Sequence, residues 1–173
     1  MRVEIQDDFN LRKIVESGQC FRASLIDDDI YRFVTGNNVV YMKETEKGIF
    51  SVSCGFNEWQ NTWVKYFDLN RNYRNIFEKE YGKHPFVDKA MNAGRGLRIL
   101  WQDPWEILVS TIISQRKSIP AIQKAVDLIA EKYGTVQKTE YEKLNLFPSA
   151  TDLINVSEDD MRSCGVGYRA AYI

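Results

Sequence analysis

Hydrophobic and polar residues alternate along residues 21 to 54. FRASLI, YRFVTG, VVYMKE and IFSVSC are short runs in which Tyr31, Phe33, Val39, Tyr41, Ile49, Phe50 and Val52 supply the aromatic and β-branched side chains that strands favour. The breaks between them read DDD, NN and TEKG, all turn-forming. Loops this short join antiparallel neighbours, so the pattern predicts a four-stranded meander with one wet face. Ahead of it, Phe9, Leu11, Ile14 and Val15 form a short helical or turn-like apolar set.

Behind the meander the period lengthens to that of a helix. Asn57 to Lys65 reads as a helix with Trp59 and Trp63 four apart, Tyr73 to Tyr81 as a second and Pro85 to Ala93 as a third. Gly96 to Leu100 (GLRIL) predicts one more strand, returning to the meander. Asp103 is an N-cap, Pro104 suits the first helical position, and Glu106 completes a capping-box pattern. In the helix that follows, Trp105, Leu108, Val109, Ile112 and Ile113 make one apolar face. After the polar break QRKS, Ser118 caps a helix carrying Ile119, Ile122, Val126 and Ile129, with Gly134 as its C-cap residue. Residues 135 to 147 read as a connector or weak helix, and 148 to 154 and 157 to 164 as short helices, the second capped by Ser157. Gly165 to Gly167 is a turn, and the six residues after it, ending on Tyr172 and Ile173, are too few for a stable helix of their own.

These elements predict an α+β fold, with an antiparallel β-plus-helix domain over residues 1–100 and the first part of a helical domain over 101–173. Net charge is −1, which argues against a polybasic nucleic-acid coat. The charge is unevenly spread: residues 62 to 138 carry thirteen Lys/Arg against eight Asp/Glu, between acidic flanks. A basic middle supplies a local phosphate-facing surface without a high overall pI. Cys20, Cys54 and Cys164 are widely spaced with no CxxC, so neither a disulfide framework nor a zinc site is expected, and His84, the single histidine, reads as a surface or helix-start residue. The N-terminus has no apolar signal core and no run is long enough to span a bilayer, so the expectation is a cytoplasmic protein.

Three features admit a chemical reading beside a plain one. The QRKS turn is either a solvated αα-hairpin loop or a wedge that enters a polyanion. Trp59 and Trp63 are either a core stripe or stacking platforms, and their spacing favours the core. Gly18 is either a turn glycine or a point of close backbone contact, and the sequence alone favours the turn.

Four segments in order, SGQCFR (17–22), YFDL (66–69), GLRILWQDPWE (96–106) and CGVGYRAAYI (164–173), together resemble the 8-oxoguanine DNA glycosylases of the helix-hairpin-helix superfamily. The resemblance implies an N-terminal antiparallel sheet with helices, of the kind likened to the TATA-binding protein, followed by the start of a helical glycosylase domain. It implies a bacterial-type, nucleoid-associated base-excision enzyme that flips oxidised guanine from damaged double-stranded DNA and nicks the abasic site by β-elimination, acting as a monomer without metal or cofactor. By position, Gly18 matches the glycine whose carbonyl accepts from N7–H of the oxidised base, where unmodified guanine carries only a lone pair. Phe21 and Arg22 would support that segment. Tyr168 and Arg169 match the tyrosine that wedges at the base step and the arginine that bonds the estranged cytosine.

The QRKS turn departs from the family pattern. Gln115, Arg116, Lys117 and Ser118 stand where many members carry asparagines; Arg116 falls at the gap-filling one and Ala121 where an arginine usually helps read cytosine. Gln115 resembles the glutamine of alkylpurine-excising relatives, so a 3-methyladenine-type glycosylase is the alternative, and a non-catalytic DNA-binding module another. The family's catalytic lysine and aspartate lie after GYRA, and by the resemblance their positions are expected beyond Ile173. The expectation is a chain cut before its nucleophile and unable to excise a base alone, with neither Lys117 nor Asp103 assigned that role.

Overall fold

A computed structural model describes all residues, 1–173. The predicted meander forms as β2 (Ser24–Asp27), β3 (Ile30–Thr35), β4 (Asn38–Glu46) and β5 (Ile49–Val52). A strand that the pattern missed, β1 (Arg2–Glu4), pairs antiparallel with β5, Val3 opposite Phe50, giving the order β1-β5-β4-β3-β2. Three residues with only Val3 turned partly inward are too short to show an alternation. The apolar set near the start is α1 (Leu11–Glu16), capped by the Asn10 side chain, which accepts from the Lys13 amide.

The tryptophan segment is one helical run built of α2 (Phe56–Glu58), a π-helical turn (Trp59–Trp63) and α3 (Val64–Tyr66). Trp59 and Trp63 are buried at 4% and 0% exposure, so they serve the core and present no stacking surface. They surround Phe67, which also meets Phe9, Phe33 and Tyr66 edge-on, and this aromatic cluster joins the sheet to its helices. α4 (Tyr73–Glu80) and α5 (Pro85–Gly94) follow, with His84 exposed at the α5 N-cap as expected.

Gly96–Leu100 corrects the prediction: Gly96 sits in a turn at φ 87°, and residues 97–100 are not part of a strand. Side chains take the place of a ladder. Gln19 bonds the Arg98 carbonyl and the Leu100 amide, and the Tyr73 hydroxyl accepts from the Ile99 amide. Arg98 is buried between the rings of Phe9 and Tyr73 and donates to Asp7 at 2.8 Å.

The chain divides into two compact units, residues 1–33 with 39–101 and residues 34–38 with 102–173. In the second, α6 (Pro104–Ser114) starts as expected, Asp103 accepting from the Glu106 amide at 3.0 Å. Its buried stripe runs through Val109, Ser110 and Ile113, which leaves Leu108 turned outward, 54% exposed, against the prediction. α7 (Ile119–Tyr133) buries Ile122, Ala125, Val126, Ile129 and Ala130, but Ile119 is exposed, and Ser118 holds the N-cap position without a side-chain cap bond. Gly134 ends α7 at an ordinary φ of −84°; a Cβ there would lie 1.8 Å from the Leu146 carbonyl, so close approach, not a left-handed turn, requires the glycine.

The expected connector at 135–147 is instead a hairpin, β6 (Val136–Lys138) and β7 (Lys143–Asn145), closed by Thr139, whose hydroxyl accepts from the Tyr141 and Glu142 amides. α8 (Ala150–Leu153) begins with a complete Ser149–Asp152 capping box, and α9 (Glu158–Met161) has Ser157 as its cap, accepting from the Asp160 amide. The last residues correct the prediction that they are too few for a helix. Gly167–Tyr172 forms a 3-10 helix anchored by buried Ala170 and by Arg169, and the Ile173 amide closes it by donating to the Ala170 carbonyl at 3.3 Å. Tertiary anchoring supplies what six residues lack by themselves; Ile173 is half-buried and Tyr172 exposed. None of the three cysteines is in a disulfide, and no helix is long and apolar enough to cross a membrane.

Candidate nucleic-acid interface

In the second unit, two turns are tied together. The first joins α6 to α7. Gln115 is the α6 C-cap, and Arg116 follows at φ 51°, a left-handed backbone that costs an L-residue with a Cβ about 1–2 kcal/mol. Arg116 is exposed, and the turn closes where the Lys117 amide donates to Ser114 at 3.1 Å. The second turn is CGVGYR. Gly165 (φ 76°, ψ 17°) and Gly167 (φ 63°, ψ −138°) reverse the chain on either side of fully buried Val166. The Gly167 conformation is essentially restricted to glycine.

The ties are polar. Arg169, 8% exposed, donates one guanidinium nitrogen to the Val166 carbonyl at 3.2 Å and another to the Gln115 carbonyl. Lys117 reaches back the other way, its Nζ donating to the Gly165 carbonyl. Arg169 thereby closes the C-terminal end of α6, where a cation is favoured by the helix dipole. Its guanidinium also lies over the ring of Tyr168, 4.5 Å from the centroid, and that ring is 61% exposed. Tyr168 thus stands outside the core, while Arg169 is buried.

Arg116, Lys117 and Arg169 make no ion pair with a carboxylate, whereas Arg12, Arg74, Arg98 and Arg162 each do. Burial, and then the nearby charge of Arg169, hold the Lys117 pKa below the usual lysine value. Three uncompensated cations beside an exposed aromatic ring suit a polyanion whose bases can be stacked upon. Gln115 is exposed at the rim of the same turn, its side chain 3.4 Å from the Thr111 carbonyl.

In the first unit, Gly18 turns the chain after α1 with φ 76°. Gln19 fixes that turn. Its Nε2 donates to the Arg98 carbonyl at 2.8 Å and to Ser17 Oγ at 3.1 Å, and its Oε1 accepts from the Leu100 amide at 3.0 Å. Arg22 is buried and Phe21 half-buried just downstream. The sequence contained a hint of Gln19, a polar residue between a turn glycine and buried Cys20, but nothing in it named Arg98 and Leu100 as partners. The Lys117–Gly165 tie was equally hidden, because its ends lie 48 positions apart.

The family model for the N-terminal domain of 8-oxoguanine DNA glycosylase matches residues 2–108. The N-glycosylase/DNA lyase of Saccharomyces cerevisiae is 27% identical over 181 residues, covering 94% of this chain and 47% of the yeast protein. Among solved structures, the 8-oxoguanine glycosylase/lyase of Clostridium acetobutylicum in its apo form is similar with a TM-score of 0.91 and 34% identity, over 99% of this chain and 60% of that one. The same protein bound to double-stranded DNA with cytosine opposite 8-oxoG gives 0.89 and 34%, over 99% and 62%. The 3-methyladenine DNA-glycosylase of Archaeoglobus fulgidus, at 16% identity and a TM-score of 0.78 over 99% of this chain and 64% of that one, shares the fold alone. The chain thus spans about half the length of the yeast relative. With the family model covering well over half of its residues, the chain belongs to the 8-oxoguanine DNA glycosylase family, as its N-terminal portion.

Proposed function

We propose that this chain is the lesion-recognition part of a base-excision enzyme that removes 8-oxoguanine from damaged duplex DNA and, as a whole protein, cleaves the resulting abasic site. The observation that carries the reading is the tied pair of turns, where Arg116, Lys117 and Arg169 lack carboxylate partners beside the exposed ring of Tyr168. Support comes from the relatives, named as N-glycosylase/DNA lyase and 8-oxoguanine glycosylase/lyase, one of them bound to DNA containing cytosine opposite 8-oxoG.

In this reading residues 1–100 form the sheet domain and 101–173 the first part of the helical glycosylase domain, and none of these residues is assigned the base-excising nucleophile. Gly18 offers its carbonyl to N7–H of the oxidised base, with Gln19 bracing the loop. Gln115, Arg116 and Lys117 enter the space the base vacates, Tyr168 wedges at the step, and Arg169 reads the orphaned partner. To reach a base, Arg169 exchanges the Gln115 carbonyl for acceptors on cytosine, so reading the partner and loosening the turn are one event. The enzyme needs no metal or cofactor, works as a monomer and resides in the cytoplasm with the nucleoid. An alkylpurine substrate has Gln115 and the missing asparagine run in its favour, but the 3-methyladenine enzyme shares no more than the fold.

Fluorescence anisotropy with duplexes carrying 8-oxoguanine or guanine tests the reading. Arg116→Ala and Tyr168→Ala should each weaken lesion-duplex binding about ten-fold, the scale on which a single well-placed side chain acts at a DNA interface. Unchanged affinity in both variants would remove the DNA role of the turns.

A further inference from the structure

The two ties between the turns of the second unit are nested. The Gln115 carbonyl accepts from Arg169, 54 positions on, and inside that pair Lys117 donates to the Gly165 carbonyl, 48 positions on. Arg116 therefore lies between the tied residues of the first turn, and Tyr168 between those of the second. Both are open to solvent, Tyr168 at 61% exposure. Neither backbone holds its place unaided: the left-handed conformation of Arg116 persists only where its surroundings fix it, and Gly165 and Gly167 leave the chain before Tyr168 permissive. Arg169 is also bonded to the Val166 carbonyl within its own turn, whereas the Gly165 carbonyl is the one group to which the half-buried Lys117 donates. Lys132 has the commoner setting of a surface lysine, paired with Asp160 and Ser163. A lysine that gives up its rotamer freedom for a single carbonyl fixes a distance between two turns.

We propose that Lys117 is a positioning residue for lesion recognition: its bond to the Gly165 carbonyl holds Tyr168 at one separation from Arg116, and that separation sets the preference for lesion over intact duplex. The inference rests on the reading that Arg116 and Tyr168 face the DNA. It differs from a phosphate contact, the ordinary use of a lysine on such a surface. A phosphate contact strengthens binding to any duplex equally, because the backbone is the same in all of them. A residue that spaces two probes matters only where both must fit at once, at a step opened by an extruded base. Its loss lowers affinity for lesion duplex more than for intact duplex. The turn then enters the lesion with the Lys117 side chain held back against Gly165, and Arg116 and Tyr168 are the groups that reach forward.

The test uses the full 173-residue chain and matched duplexes carrying 8-oxoguanine or guanine, with the ratio of the two affinities taken from anisotropy. Lys117→Met keeps the bulk of the side chain and removes its donor and charge. The ratio should fall about ten-fold, the scale of a hydrogen bond from a charged donor. Lys117→Arg, which can still donate to Gly165, should return it to near the wild-type value. In a Tyr168→Ala background Lys117→Met should have no further effect on the ratio, because Lys117 acts through Tyr168. Circular dichroism checks that each variant is folded; if Lys117→Met is not, Lys117→Gln, uncharged and one atom shorter, takes its place. Three results would overturn the proposal: both duplexes weakened equally with the ratio intact, a lost ratio that Lys117→Arg does not restore, or a loss of the same size in the Tyr168→Ala background. A wild-type chain with no preference for the lesion duplex would instead overturn the reading of the turns, and this inference with it.

Discussion

The side-chain amide of Gln19 stands in for a strand beside Arg98, taking the hydrogen bonds that a ladder would make at the Arg98 carbonyl and the Leu100 amide. The SGQ and GLRIL motifs are therefore one structural device, in which a side chain braces the Gly18 turn against residues 98 and 100. Replacing Gln19 by Leu leaves a carbonyl and an amide of that segment without partners, a loss of roughly 1–3 kcal/mol. The urea midpoint should fall accordingly, and affinity for an 8-oxoguanine duplex should fall with it because Gly18 loses its support. An unshifted midpoint would show that water replaces the amide without cost.

Local patterns carried most of this fold. Alternation at Tyr31, Phe33, Val39 and Tyr41 and the caps at Asp103 and Ser157 rest on neighbours within a few residues, and the predicted elements formed there. What the sequence could not show was non-local. GLRIL looks like a strand because it is a short apolar run, yet whether it joins a sheet depends on Gln19 and Tyr73, far away in the chain. Leu108 fits a helical apolar stripe by spacing, but which side of α6 faces the core is decided by the elements packed on it. The helical turn Gly167–Tyr172 was hidden for the same reason, since it is held by the bond from Arg169 to Gln115. At the candidate site the residue types Arg116, Tyr168 and Arg169 were legible, whereas the burial of Arg169 came only with the structure.

Gly96 is required on two grounds. Its φ is 87°, and an added Cβ would lie 2.7 Å from Asn10 Cβ and 3.1 Å from the Asn10 backbone nitrogen, where the Asn10 amide donates to the Gly96 carbonyl. Backbone cannot yield as a flexible side chain does, so Gly96→Ala should cost about 1–3 kcal/mol from the left-handed conformation, plus whatever the steric clash adds. Thermal unfolding followed by circular dichroism would register the loss, and a variant as stable as wild type would mean that α1 simply moves aside.

Arg116 presents a trade between stability and binding. Its left-handed conformation is strained for arginine and easier for asparagine. Arg116→Asn should raise unfolding stability by about 0.5–1 kcal/mol while weakening binding to lesion duplex through the lost charge. A salt titration separates the two effects: the slope of log affinity against log salt should be shallower by about one phosphate contact. Equal slopes would place Arg116 away from the phosphates.

Asp7 sets the acid limit of the first unit. Burial pushes its pKa up, but the amides of Tyr73, Arg74 and Asp8 and the Arg98 guanidinium all donate to the carboxylate and outweigh it, so the folded value lies below the usual 3.8. A depressed folded pKa means that the unfolded chain binds the proton more readily. The stabilisation is complete above the unfolded value and is lost as pH falls through the lower folded one. Asp7→Asn should flatten the acid limb of a stability-against-pH curve. At pH 7 it should also destabilise the fold by on the order of 3 kcal/mol, because Arg98, with a fully buried side chain between Phe9 and Tyr73, loses its only anion. Urea unfolding of both proteins from pH 3 to pH 7 checks the two statements together. If the curves ran parallel, the acid dependence would belong to other carboxylates and Asp7 would matter only as a cap for α4.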